Sequence, residues 1–237
     1  MACAIRPGMH LIGTFYGGAD SFATGKMDWL FWDNDGVLVA TEELYYRACA
    51  EALARVDVEL DLETFRMISL ERGESVFQLV AAARGEAGSL EELRRWRDAR
   101  YCELLESGVP LLPGVQQTLD RLHGRVRMAI VTSCRRAHFS VMHRHSGLLD
   151  YFDFVLVRED YRRSKPHPEP YRLALARSGA PAGRCTVIED SPRGALAATR
   201  AGLSCIVIPG QLNACGPFPA ACRRIEHLGE IPAILGY

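Results

Sequence analysis

Five short runs of apolar residues recur along the chain: "WLFWD" (29–33), "RMAIVT" (127–132), "FDFVLV" (152–157), "CTVIED" (185–190) and "SCIVIP" (204–209). Each is nearly continuous rather than alternating, the pattern of strands covered on both faces in a parallel sheet. Between them the periodicity changes to that of helices. In "GVQQTLDRLHG" (114–124) apolar residues return at helical spacing and a glycine closes the run. In "SPRGALAATRAG" (191–202) Ser191 suits an N-cap, Pro192 the first helical position and Gly202 the stop. Alternating strands and helices predict an α/β fold, an open, doubly wound parallel sheet.

The alternation fails once. Between the first two strands lie about 90 residues without a convincing strand, although a crossover needs only a dozen or so. "TEELYYRACAEALARVDV", "LETFRMISL", "ESVFQLVAAARG" and "SLEELRRWRDARYCELLESG" all read as helices. The surplus predicts an α-helical subdomain over 43–110, inserted into a core made of 27–42 and 111–237. Residues 1–26 are glycine-rich without periodicity and lack the apolar stretch of a signal peptide, so they read as a poorly ordered extension.

Composition narrows this little. With 24% charged and 48% hydrophobic residues, the 237-residue chain is an ordinary globular mixture. Its formal net charge of -1 offers no basic face for nucleic acid, and no run approaches the roughly 20 apolar residues of a membrane span. The eight cysteines form no Cys-x-x-Cys pair, which argues against zinc and for reduced thiols in a cytoplasmic protein. A monomer is the default expectation.

The residues at the strand ends are more telling. Asp33 and Asp35 come after the first strand, Thr132 and Ser133 after the second, Lys165 after the third, and Glu189, Asp190 and Ser191 after the fourth. In open α/β sheets ligands bind outside the carboxyl ends of strands, so these segments converge. Clustered carboxylates repel unless a cation lies among them, and a hard divalent ion with oxygen ligands, Mg2+ above all, suits the set. A lysine, hydroxyls and backbone amides then face an anion. Taken singly, each group has an ordinary structural use as a turn, a cap or a solvated lysine; the ordered conjunction is what points to a phosphate site.

"DNDGVLVATE", "IVTS", "SKPHPEPY" and "VIEDSPRGALAATRAGL" make residues 27–237 resemble the haloacid dehalogenase superfamily, in the branch of β-phosphoglucomutase, phosphoglycolate phosphatase and related sugar-phosphate phosphatases. The resemblance implies that Asp33 is the nucleophile and Asp35 a general acid and base. It implies Mg2+ held by the Asp33 carboxylate, the Asp35 carbonyl and Asp190, with Glu189 as a further or outer ligand. Thr132, Ser133 and Lys165 would hold the phosphoryl oxygens, and the helical insertion would be the cap. The expected activity is a Mg2+-dependent phosphatase acting on a small phosphorylated metabolite.

Departures from the family pattern are local. Ala40 stands where a third aspartate is usual, and Tyr45 where the mutase has a histidine tied to closure. Arg72 in the cap and Cys134 and Arg136 after the second strand fall near positions holding a second substrate anion, which predicts that role for Arg72 and Arg136. Cys134 beside an anion site is also a candidate for a lowered pKa. His143 and His145, two apart on an expected helix, and His167 read as structural. The alternatives are a sugar phosphomutase, a 2-haloacid dehalogenase, a receiver-like domain and a non-catalytic binding protein. Asp35 disfavours the dehalogenase, since halide leaves without a proton. The late Glu189-Asp190 pair and the cap disfavour the receiver.

Overall fold

The computed structural model describes residues 27–80, 90–210, 212 and 217–237; the expected extension 1–26 and part of the helix read at 74–85 lie outside them. The sheet holds six parallel strands in the order β3-β2-β1-β4-β5-β6. They are β1 (Trp29–Trp32), β2 (Arg127–Val131), β3 (Phe154–Leu156), β4 (Cys185–Glu189), β5 (Ser204–Val207) and β6 (Arg223–Arg224). The five apolar runs supply the first five. The sixth is two exposed arginines paired to Ile206 and Val207, an edge strand with no apolar signature to announce it.

Every residue of β1 and β4 is buried. One face of the sheet turns Leu30, Trp32, Ile130, Ile188 and Ile206 into one cluster; the other turns Phe31, Ala129, Val131, Val187 and Cys205 into a second. This two-sided burial explains why the runs do not alternate. β1 lies between β2 and β4, so the strand order reverses beside it, and a crevice opens at its carboxyl end.

The insertion is built from α1 (Glu42–Ala54), α2 (Leu62–Phe65) and α3 (Leu90–Glu106), with a π-type turn over Arg66–Glu71 after α2. It carries its own apolar cluster of Cys49, Ala52, Leu53, Leu60, Phe65, Ile68, Val76, Phe77, Val80 and Leu93. The far end of α3, through Tyr101, Leu104 and Leu105, joins the cluster of the sheet instead. Separate cores joined at one end allow the helical layer to sit over the strand ends without being fused to them.

The remaining helices are α4 (Val115–Leu122), α5 (Arg136–Met142), α6 (Glu169–Ser178), α7 (Pro192–Arg200) and α8 (Ile231–Ile234). Helix α7 starts as expected: the Ser191 hydroxyl accepts from the Gly194 amide at 3.1 Å. Helix α5 ends at Met142, which places His143 and His145 in the next turn rather than on a helix. No described helix is long and apolar enough to cross a membrane, and the six cysteines among the described residues are free.

Candidate active site

Asp33 and Asp35 follow β1 with Asn34 between them. Asn34 donates from Nδ2 to Asp35 Oδ2 at 3.3 Å. It is fully buried, its Nδ2 lies 3.1 Å from Met142 Sδ, and its Oδ1 lies 2.8 Å from His143 Nε2. Burial lowers the His143 pKa to about 4, so the imidazole is neutral. The unfolded chain binds this proton near the ordinary histidine value of about 6.5, and the folded one near 4. Stability therefore falls as pH drops through that window. His143→Gln is expected to flatten this acid limb, read from urea midpoints at pH 7 and pH 5. An unchanged slope would mean that His143 does not set this limb.

Asp33 is anchored by its amide, which donates to Ile188 O of β4 at 2.9 Å. Lys165 reaches it from the loop before α6. The ammonium, 5% exposed, donates to Asp33 Oδ1 at 2.8 Å, to Glu189 Oε1 at 2.7 Å and to the Val131 carbonyl at 2.8 Å. Three acceptors saturate its three N–H donors, and the two carboxylates hold its pKa well above the ordinary lysine value. One ammonium does not offset two buried carboxylates. Burial, then Glu189, push Asp33 up to about 7, with Lys165 opposing.

Glu189 is the most enclosed acid of the site, with no exposed surface. Its Oε1 also accepts from the Tyr171 hydroxyl at 2.7 Å. Its Oε2 accepts from the Ser191 hydroxyl and the Asp190 and Ser191 amides at 3.1–3.4 Å. Both oxygens are thus committed to protein donors, and Glu189 serves as the anchor of Lys165 and of the Asp190 turn. Asp190 faces Gly36 so closely that a β-carbon there would sit 2.2 Å from its Oδ2. Gly36 also has φ +78°, which a side chain disfavours. The loop after β1 therefore comes into contact with the Asp190 carboxylate only because residue 36 lacks one.

Oxygens of Asp33, Glu189 and Asp190 lie within 4.8 Å of one another. This buried, all-oxygen, excess-negative set fits a hard divalent cation. Asp35, half-buried, accepts from the Thr41 hydroxyl at 2.5 Å and the Thr132 hydroxyl at 3.2 Å. The Thr132 hydroxyl also accepts from the Cys134 amide at 2.9 Å, so it is tied to Asp35 and to its own loop. Ser133 is exposed on the same cavity.

That cavity, about 560 Å³, lies between strand ends and insertion. Asp33, Asp35, Thr132, Ser133, Cys134, Lys165 and Asp190 all line it. Two expectations need correcting. Cys134 is not activated: burial and the negative charges of Asp35 and Asp33 push its thiol well above the usual value. Nor do Arg72 and Arg136 line the cavity. Arg72 is exposed on the insertion, and Arg136 is paired with Asp160 at 2.6 Å on the surface.

Other cations occupy the walls. Arg97 of α3, 8% exposed, donates to the Tyr45 hydroxyl at 2.5 Å and to Asp98 at 2.7 Å, and stacks over the Tyr45 and Phe77 rings. Arg135 crosses from the β2 loop to Asp98 at 2.7 Å. Arg94, Arg158 and Arg193 complete the set. In the sequence Arg97 belongs to "RRWRDAR", a charge-rich run that looks like a solvated helix face. Only its place in the apolar phase of α3, between Leu93 and Tyr101 at four-residue spacing, distinguishes it.

The haloacid dehalogenase-like hydrolase family matches residues 30–208. Protein CbbY of Rhodobacter capsulatus is 31% identical over 214 residues, covering 84% of this chain and 92% of the relative. Fructose-1-phosphate phosphatase YqaB of Escherichia coli is 27% identical over 177 residues, covering 75% and 94%. The fold is similar to that of a CbbY mutant from Rhodobacter sphaeroides in complex with xylulose-(1,5)bisphosphate. The TM-score is 0.74 at 26% identity, over 86% of this chain and 96% of that one.

Proposed function

Because the chain belongs to the haloacid dehalogenase-like hydrolase family, we propose that it is a cytoplasmic Mg2+-dependent phosphatase of phosphorylated sugars, working through an aspartyl phosphate. The observation that carries this reading is the buried Asp33–Lys165–Glu189 chain beside Asp35 and Asp190 at the switch point of the sheet. In this reading residues 43–110 are the cap.

Asp33, Asp190 and the Asp35 carbonyl would hold the ion, which when bound supplies positive charge against the phosphoryl oxygens and the nucleophile. Asp33 attacks phosphorus through a carboxylate oxygen, the ester oxygen leaves, and Asp35 gives that oxygen a proton. Asp35 then takes a proton from the water that attacks the aspartyl phosphate, releasing phosphate and restoring Asp33. The hydroxyl donors on Asp35 aim it at the leaving group. Lys165 keeps Asp33 ionised and extended toward the cavity while Glu189 keeps Lys165 in place.

The relatives point to sugar phosphates as the substrate class, and the cavity volume suits one. Its arginine walls suit a second anionic group, which favours a bisphosphate such as the xylulose compound held by the CbbY mutant. A panel of sugar mono- and bisphosphates, assayed for phosphate release with Mg2+ and with EDTA, tests this. Release is expected only with Mg2+, and fastest for a bisphosphate. Interconversion of sugar phosphates without net release would replace the phosphatase reading by the mutase.

A further inference from the structure

Arg193 sits in the first turn of α7, two residues beyond the Ser191 N-cap, and its guanidinium spans two parts of the molecule. Its Nη2 donates to the main-chain carbonyl of Lys165 at 2.6 Å. Its Nη1 lies 3.5 Å from the carbonyl of Ser69, in the π-type turn of the insertion. The guanidinium also rests against Gly73. A β-carbon at that glycine would lie 2.1 Å from Arg193 Cζ and 2.3 and 2.5 Å from its two terminal nitrogens. Gly73 has φ +67°, so both its backbone and its missing side chain are what the seat requires. Ser69, Gly73 and Arg193 all line the cavity.

These contacts join the catalytic loop to the covering layer. The carbonyl held by Nη2 belongs to the residue whose ammonium aligns Asp33. The partner held by Nη1 and the Gly73 face belongs to the layer that covers the cavity. We infer that Arg193 is a positioning residue: seating of the Ser69–Gly73 segment fixes its guanidinium, and the guanidinium fixes the Lys165 loop, so Asp33 is fully aligned only when the cavity is covered. This rests on the phosphatase reading for its effect on turnover. The planar fork matters, because an ammonium cannot reach two carbonyls in one fixed plane.

The test compares Arg193→Ala, Arg193→Lys, Gly73→Ala and the Arg193→Ala/Gly73→Ala double variant, on the best sugar phosphate of the panel. Arg193→Ala is expected to lower kcat about ten- to hundredfold, the scale of a small misalignment, with KM changed less than kcat. Arg193→Lys is expected to restore little. Gly73→Ala is expected to lower kcat similarly, and the double variant no further than the more affected single one, since both remove one contact. Losses that multiply, a kcat within twofold of wild type in Arg193→Ala, or full rescue by lysine would overturn the inference. The clasp is also read without turnover, as hydrogen exchange at 69–76: faster exchange in Arg193→Ala is expected, and unchanged exchange would contradict it. A wild-type protein inactive on every ester would refute the phosphatase reading, and the exchange result would still decide the clasp.

Discussion

Replacing Asp33 by Asn is expected to lower phosphate release by on the order of 10⁴-fold or more, the scale seen when a covalent nucleophile is removed, while leaving the metal-free protein at least as stable as wild type. The two outcomes have one cause. Asp33 is buried beside Glu189, and its pKa of about 7 shows that the fold resists its charge. An amide of the same shape keeps an oxygen for the Lys165 ammonium at the 2.8 Å contact and removes the repulsion. It also removes the anionic oxygen that, in the proposed mechanism, attacks phosphorus and helps to hold the cation. Gain of stability with loss of activity is the expected signature of a group kept for chemistry at a cost to the fold. Thermal melts in EDTA with phosphate-release rates in Mg2+ check both halves; a destabilised variant would mean that Asp33 is a structural partner of Lys165 first.

Lys165→Met reverses the pattern. Methionine fills the stem but leaves Asp33, Glu189 and the Val131 carbonyl without the donor they share. Removing one member of a buried ion network costs about 3–5 kcal/mol, because the remaining charge stays buried and uncompensated. Stability should therefore drop by that order, measured by urea unfolding in EDTA. Activity should fall with it, since Asp33 then takes up a proton near neutral pH. Mg2+ should return part of the lost stability, because a cation between Asp33 and Asp190 replaces some of the missing positive charge. A variant as stable as wild type would mean that Glu189 and Asp33 are not jointly dependent on this ammonium.

The residues proposed for the chemistry are legible in the sequence because each stands at or after the end of an apolar run. The hydrophobic pattern locates the strand ends, and the order of strand ends locates the site. Asp33, Asp35, Thr132, Ser133, Lys165, Glu189 and Asp190 all emerge in this way, and the first, third, fifth, sixth and seventh of them are buried. The walls of the cavity are not legible for the same reason in reverse. Arg135 reaches Asp98 of α3 from the β2 loop, and nothing in its neighbours along the chain encodes that meeting. The arginines suggested by the family pattern, Arg72 and Arg136, instead face solvent or Asp160. Strand β6 escapes because pairing of a two-residue edge needs backbone only. The double commitment of Glu189, to Lys165 on one oxygen and to the Ser191 turn on the other, is likewise a property of the packed site rather than of the motif.

In the proposed mechanism Asp33 carries the phosphoryl group during turnover. The most direct test is acid quenching of the enzyme with Mg2+ and its best sugar phosphate, then mass analysis of the peptide that contains Asp33. A peptide heavier by one phosphoryl group (about 80 Da) is expected, labile at alkaline pH as an acyl phosphate is, and absent in Asp33→Asn. Rapid phosphate release with an unmodified Asp33 peptide at every quench time, or with the group on another residue, would contradict it.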